Sequence, residues 1–104
     1  MGKLHEKSFD VDAVLFTGTN PPSYVDIQEL RRAGNAEANF IPDGILIGIN
    51  GSDSTQTTAV IRANTISDRR IKTWRLTCGR PHNIPINRIE ASGTTGREIL
   101  ILGV

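Results

Sequence analysis

The sequence predicts an all-β fold, a small antiparallel β-sandwich of jelly-roll type that forms a single domain. Three observations lead to this prediction. Short runs of aliphatic and β-branched residues recur along the chain, as in "GILIGIN" at 44–50. Ten glycines and five prolines place turn signals between most of these runs. At 104 residues, the chain has the length of one domain.

The predicted strands follow from the pattern within each run. "FDVDAVLFT" begins with alternation and then becomes continuously apolar, and "RRIKTWRLTC" alternates throughout. "GRPHNIP" contains two prolines, which exclude it from the centre of a sheet. Residues 1–8 are polar and are predicted to be flexible, so the sandwich is predicted to occupy 9–104. The predicted strands are 9–17, 44–50, 57–63, 69–78, 86–92 and 97–104.

The segment 18–42 is predicted to be irregular or partly helical. "GTNPPS" breaks regular structure because its prolines fix φ and lack N–H donors. In "YVDIQELRRAG", the apolar residues Tyr24, Ile27 and Leu30 lie three apart, as on one face of a helix. The same stretch also begins like a strand, so both interpretations stay open. The prolines and aromatic residues of 20–40 further suggest an arm that orders on a partner.

The stretch "NRIEASGTTGREILILGV", residues 87–104, is predicted to form a hairpin. Gly93 and Gly96 permit a tight turn between its two strands. The second strand, Ile99–Val104, is the most apolar run of the sequence. We therefore expect this strand to close the sheet, with its end buried in the core or in a subunit contact.

The charged residues are divided unevenly, although the net charge is only +1. Residues 1–61 carry four basic and eight acidic side chains, whereas residues 62–104 carry eight basic and three acidic ones. The two halves can neutralise each other within one fold, or they can form complementary patches in contacts between subunits. Arginine suits such contacts because its planar guanidinium pairs with carboxylates through two hydrogen bonds. The candidate residues for a subunit interface are Tyr24, Arg31, Phe40, Arg69, Arg75, Arg80 and Arg88.

The sequence predicts no enzyme, no cofactor and no metal site. The histidines, His5 and His82, have no cysteine or carboxylate at a metal-ligand spacing. Cys78 ends a strand pattern and is expected to behave as a small buried apolar residue. The sequence contains neither a nucleophile elbow nor a phosphate-binding glycine loop. Trp74 is the one aromatic residue among the later arginines, which disfavours nucleic-acid binding.

The expected compartment is a cytoplasm in which the protein is made and assembled. No apolar run approaches the length needed to span a bilayer, so no membrane partner is predicted. "MGKLHEKSFD" lacks the apolar stretch of a signal peptide. A single cysteine excludes an intramolecular disulfide, so the fold is not a disulfide scaffold.

The segment "RPHNIPINRIEASGTTGREILILGV", residues 80–104, contains a distinctive order of elements. A proline-containing loop enters a strand of aliphatic and basic residues at Ile84–Ile89. A turn of the form A-x-G-T-T follows at Ala91–Thr95, and the apolar run Ile99–Val104 ends the segment. This order resembles the C-terminal pattern of the head-spike base proteins, small virion proteins of tailed bacteriophages and gene transfer agents. "DGILIGINGS" at 43–52 resembles the family more weakly, and the N-terminal portion departs from it.

The resemblance implies a β-sandwich in a ring-like homo-oligomer on the virion, with no catalytic residues. Such a protein forms the base of a head spike and anchors a fibre, or it decorates a capsid vertex and ornaments the shell. Its partners would be capsid or other virion proteins and a spike fibre. We therefore expect a non-enzymatic virion structural protein. Two alternatives stay open: a tail or neck adaptor of a phage particle, and a ligand-binding β-sandwich such as a carbohydrate-binding module.

Deletion of Ile99–Val104 is expected to abolish soluble folding or assembly, because it removes an apolar strand that closes the sheet. Removal of Met1–Lys7 is expected to change the fold little. Soluble yield, circular dichroism and thermal unfolding of the two truncated proteins test this contrast. A well-folded protein lacking Ile99–Val104 would contradict the prediction.

Overall fold

The computed structural model describes residues 3–104 and shows two four-stranded antiparallel sheets packed face to face, a β-sandwich as predicted. The first sheet has the strand order β1-β8-β3-β6, and the second has the order β2-β7-β4-β5. The strands are β1 Lys7–Asp10, β2 Tyr24–Asp26, β3 Pro42–Asn50, β4 Thr58–Thr65, β5 Asp68–Thr77, β6 Pro81–His82, β7 Ile86–Glu90 and β8 Gly96–Gly103. The helices are α1 Asp12–Leu15, α2 Ile27–Arg32 and a 3-10 helix at Ala36–Ala38.

The core lies between the sheets and is built mainly from aliphatic residues. Strand alternation directs every second side chain of a strand inward. On β8, for example, Ile99 and Ile101 are fully buried, and on β3 Ile45 and Ile47 are fully buried. The central strands of the second sheet contribute residues that are likewise fully buried: Ala59, Ile61, Ala63, Ile86 and Ile89.

The helices of residues 3–104 include none that is long and apolar enough to span a bilayer.

The predicted strand 9–17 is wrong beyond Asp10. The chain leaves β1 and turns into α1, whose N-cap residue Val11 and last residue Leu15 are both buried. These two positions are four residues apart, so the apolar run that suggested a strand also fits one face of a helix. The Asp12 carboxylate fixes this turn, because it accepts hydrogen bonds from the backbone N–H groups of Glu98 and Ile99, both at 2.9 Å.

The segment 18–42 contains both elements that its sequence left open. Tyr24–Asp26 forms β2, and α2 begins directly after it, with the Asp26 side chain accepting from Glu29 N at 3.1 Å as the helix cap. Gly34 follows α2 with a φ of +78°, a conformation that glycine adopts without strain. The segment packs onto its own domain rather than extending as a free arm, since Val25 and Ile27 belong to the core.

The predicted hairpin at 87–104 is also wrong. Strand β7 lies in the second sheet and β8 in the first, so the connection 91–95 crosses from one sheet to the other. Its threonines bind β4 instead of closing a turn. Thr94 Oγ1 accepts from Arg62 N and Thr95 Oγ1 accepts from Val60 N, both at 3.0 Å. The expectation that the apolar run 99–104 enters the core is confirmed for Ile99, Ile101 and Leu102, which are buried on a central strand, whereas Val104 at the end of the run is exposed.

The N-terminal segment, which was predicted to be flexible over 1–8, is paired in part. Lys7 and Ser8 lie in β1 opposite Gly103 and Leu102. His5 hydrogen-bonds to Asp43, with 2.7 Å between Nδ1 and Oδ1. Met1 and Gly2, which that prediction includes, lie outside the described residues.

Replacement of Gly103 by alanine is expected to lower the free energy of unfolding by about 2–3 kcal/mol, because overpacking strains a tight core. A Cβ at Gly103 would overlap the Phe40 ring and lie 2.5 Å from the Ile41 carbonyl oxygen. Gly18→Ala is the matched control, since its φ is +86° but nothing lies within 4 Å of the added Cβ. It should cost only about 1 kcal/mol through backbone strain. Equal losses in urea-induced unfolding would contradict the packing argument.

Candidate protein-interaction site

Four of the seven candidate interface residues lie on the outer face of the second sheet. Residues directly opposite each other in an antiparallel pair share a face. Arg88 lies opposite Asp26, and Tyr24 opposite Glu90, across β2 and β7. Strand β5 brings its outward-facing arginines to the same side of the sheet, where Arg75 lies opposite Val60 of β4. We call the surface formed by Tyr24, Arg69, Arg75 and Arg88 the arginine face.

Arg88 is the structural centre of the arginine face. Its guanidinium carbon lies 3.6 Å from the centroid of the Tyr24 ring, a stacked cation–π contact. Its nearest carboxylate contacts are Asp26 at 4.0 Å and Glu90 at 3.7 Å. The Arg88 Nε atom is buried and has no hydrogen-bond partner within residues 3–104. Stacking and two loose ion pairs therefore hold this side chain in one orientation.

Two buried asparagines fix the strands beneath the arginine face. Asn87 Nδ2 donates to Asp26 Oδ1 at 3.1 Å, and Asn87 Oδ1 accepts from Gln28 N at 2.9 Å. Asn64 Oδ1 accepts from Arg88 N at 3.1 Å. Sequence reasoning missed both residues. A signal for Asn87 exists, because it alternates with Ile89 in the strand pattern and therefore occupies a position that faces the core.

A pocket of about 300 Å³ opens between α2 and the arginine face. Basic residues from three elements line it, namely Arg32 of α2, Arg69 of β5 and Arg88 of β7. The carboxylates of Asp26 and Glu90 line it as well. With Glu29, three acidic residues and three arginines line the pocket, which therefore presents both charge signs in equal number.

The other three candidate residues lie elsewhere. Arg31 is exposed on α2, and Arg80 is exposed in the connection between β5 and β6. Phe40, named as an interface candidate, is not on the surface, because its side chain is 3% accessible and packs in the core. The aromatic ring fills the space beside Gly103, which the sequence pattern of the loop 35–43 does not reveal.

The cations of β5 differ in how they are paired. Arg70 and Lys72 lie 3.0 and 3.1 Å from Asp68, and the hydrogen bond from Arg70 is the main reason that the pKa of this carboxyl is well below its ordinary value. Arg69 and Arg75 are exposed and form no salt bridge with any residue of 3–104. These two guanidinium groups are therefore available to a partner.

The side chains of Cys78 and His82 are engaged within the fold. Burial raises the pKa of the Cys78 thiol, which disfavours its thiolate form. His82 Nε2 donates to the Thr77 carbonyl at 2.8 Å. Residues 3–104 hold no group of three potential metal ligands. The chain matches no protein-family model, no curated protein and no solved structure at a significant level.

Replacement of Arg88 by alanine is expected to lower the free energy of unfolding by about 1–2 kcal/mol, because it removes the stacking on Tyr24. It also leaves Asp26 and Glu90 without their shared cation. Arg69→Ala is the matched control on the same face and should change stability by less than about 0.5 kcal/mol. Chemical denaturation of both variants measures the difference. Similar values for the two would show that Arg88 does not organise the face.

Proposed function

We propose that the protein is a non-enzymatic virion structural protein, the base of a head spike or a decoration protein at a capsid vertex. The observation that carries the proposal is the motif Ile84–Val104, which resembles the head-spike base proteins. Its proline-containing loop leads into β7, its A-x-G-T-T segment is the crossing 91–95, and its apolar run falls in β8. The motif thus spans one central strand of each sheet and the crossing that joins them.

The arginine face supports a role in permanent assembly. Exposed arginines and half-buried aromatic residues are enriched at interfaces between proteins. Tyr24 and Arg88 are held rigidly by stacking, so little side-chain entropy is lost when a partner covers them. A homo-oligomeric ring, with capsid proteins on one side and a fibre on the other, accounts for such a surface.

The carbohydrate-binding alternative lacks a platform of exposed aromatic rings. Phe9 and Phe40 are buried, and Trp74 packs partly against the core. Phe16 is covered by Arg97, whose guanidinium carbon lies 3.7 Å from the ring centroid. Tyr24 is covered in the same way by Arg88. We therefore retain the virion role as the proposed function.

The proposal is tested on particles produced by the genome that encodes this chain. Particles purified on a density gradient are examined by quantitative mass spectrometry and by negative-stain microscopy with gold-labelled antibody. We expect a constant copy number per particle and labelling at the head. Particles from a strain lacking the gene should lose the label and regain it when the purified protein is added.

Two results would overturn the proposal. Particles that contain none of the protein would exclude a virion role. Labelling at the tail or neck would instead support an adaptor of the phage particle, the alternative that the sequence left open.

A further inference from the structure

The two lateral sides of the sandwich are formed by different strands. On one side, β1 and β2 lie at the ends of their sheets, and the connection containing α1 joins them. On the other side, β5 and β6 lie at the opposite ends, joined by only three residues, 78–80. Each side therefore ends in two edge strands, one from each sheet.

Strand β5 is the longest of these edge strands, with ten residues. Within the second sheet β5 pairs with β4, and just beyond this pairing Cys78 N donates to Thr57 O at 2.8 Å. Backbone groups of successive residues in a strand point to alternate sides. By this alternation, the N–H and C=O groups of Leu76 and Trp74 face β4, like those of Cys78.

The backbone groups of Thr73 and Arg75 consequently point away from the sheet. The carbonyl of Thr77 has the same orientation, and it accepts a hydrogen bond from His82. Within residues 3–104, no backbone hydrogen bond from another strand satisfies the outward groups of Thr73 and Arg75. The middle of β5 is thus an open edge that can pair with an added strand.

The charge on the β5 side opposes pairing of β5 with β5 of another copy. Four basic residues of β5 and Arg80 face a single acid, Asp68, which is already paired. Like charges opposite each other across strands are destabilising. The edge therefore selects a partner that presents carboxylates.

The opposite side of the same molecule presents such a surface. A pocket of about 400 Å³ lies between β1 and the 3-10 helix. The exposed carboxylates of Asp10 and Glu37 lie at this pocket, and apolar residues, Phe9, Val14 and Leu100, line the rest. This combination fits an arginine, whose alkyl stem covers apolar surface while its guanidinium meets carboxylates.

We propose that the β5 edge of one copy docks on the β1 side of a second copy and places an arginine of β5 in the pocket between Asp10 and Glu37. The proposal rests on the proposed function for its biological setting. Because the two docking surfaces are different, a pair of copies keeps one β1 side and one β5 edge free. Contacts of this head-to-tail type continue from copy to copy and close into a ring when the rotation allows.

A charge-swap experiment tests the proposal on the full chain. One variant carries Arg69→Glu and Arg75→Glu, and the other carries Asp10→Lys and Glu37→Lys. Each variant alone presents like charges on both docking surfaces, so its apparent dissociation constant should rise by at least about a hundredfold. An equimolar mixture should assemble again, because each acidic surface then meets a basic one. Sedimentation velocity at low and high salt measures all three samples.

Two single substitutions serve as controls. Glu98→Lys reverses an exposed charge on the central strand β8 and should leave assembly unchanged. Lys7→Glu removes a positive charge from β1 and should preserve or strengthen assembly. If the Asp10→Lys and Glu37→Lys protein does not fold, Glu37→Lys alone replaces it, because the Glu37 carboxylate accepts no hydrogen bond within residues 3–104.

Three results would overturn the proposal: a monomeric native protein at all concentrations, unchanged assembly of both variants, or a mixture that does not assemble. The result on particles is separate. Restored assembly in the mixture, with no protein on the virion, would support the interface and reject the virion role. Protein present on the virion, with assembly unaffected by the charge swaps, would support the virion role and reject the interface.

Discussion

The backbone pairing of β8 is the constraint on which the rest of the structure depends. This strand pairs with β1 on one side and with β3 on the other, so it links the beginning and the middle of the chain. The Asp12 carboxylate extends that pairing past the end of β1 by accepting two N–H groups of β8. A side chain thus replaces a strand at this point, which lets the chain turn into α1 and cross to the second sheet.

The two sheets are then joined by threonines rather than by a turn. The crossing 91–95 follows β7 and precedes β8, and its hydroxyl groups bond to β4 as an additional short strand would. Thr94 also donates to the Glu90 carbonyl at 2.6 Å, which ends β7. This arrangement satisfies backbone groups of a central strand that would otherwise be buried without partners. It explains why the segment is rich in threonine although no hairpin forms.

Much of the fold could be predicted because a strand with one buried face leaves a clear alternating pattern, as in β4, where Ala59, Ile61 and Ala63 are buried and Arg62 is exposed. The absence of a hairpin at 87–104 could not be predicted, because glycines occur in crossings between sheets as well as in tight turns. The helix α1 could not be predicted within 9–17, because the apolar spacing there is compatible with a strand as well as with a helix. For the site, the sequence predicted that the arginines of β5 and β7 lie on strands. It did not predict that they share the arginine face, because this depends on the order of the strands in the sheet. Phe40 was misplaced because burial within a loop depends on a distant residue, Gly103.

The uneven charge along the sequence becomes a separation in space through two effects. Strand order places Asp10 of β1 and the arginine-rich strand β5 on opposite lateral sides. In addition, several early carboxylates are used within the fold, as Asp12 and Asp26 bind backbone N–H groups and Asp43 binds His5. Since these acids are engaged locally, they do not neutralise the exposed arginines of β5. The positive surface therefore persists although the net charge of the whole chain is only +1.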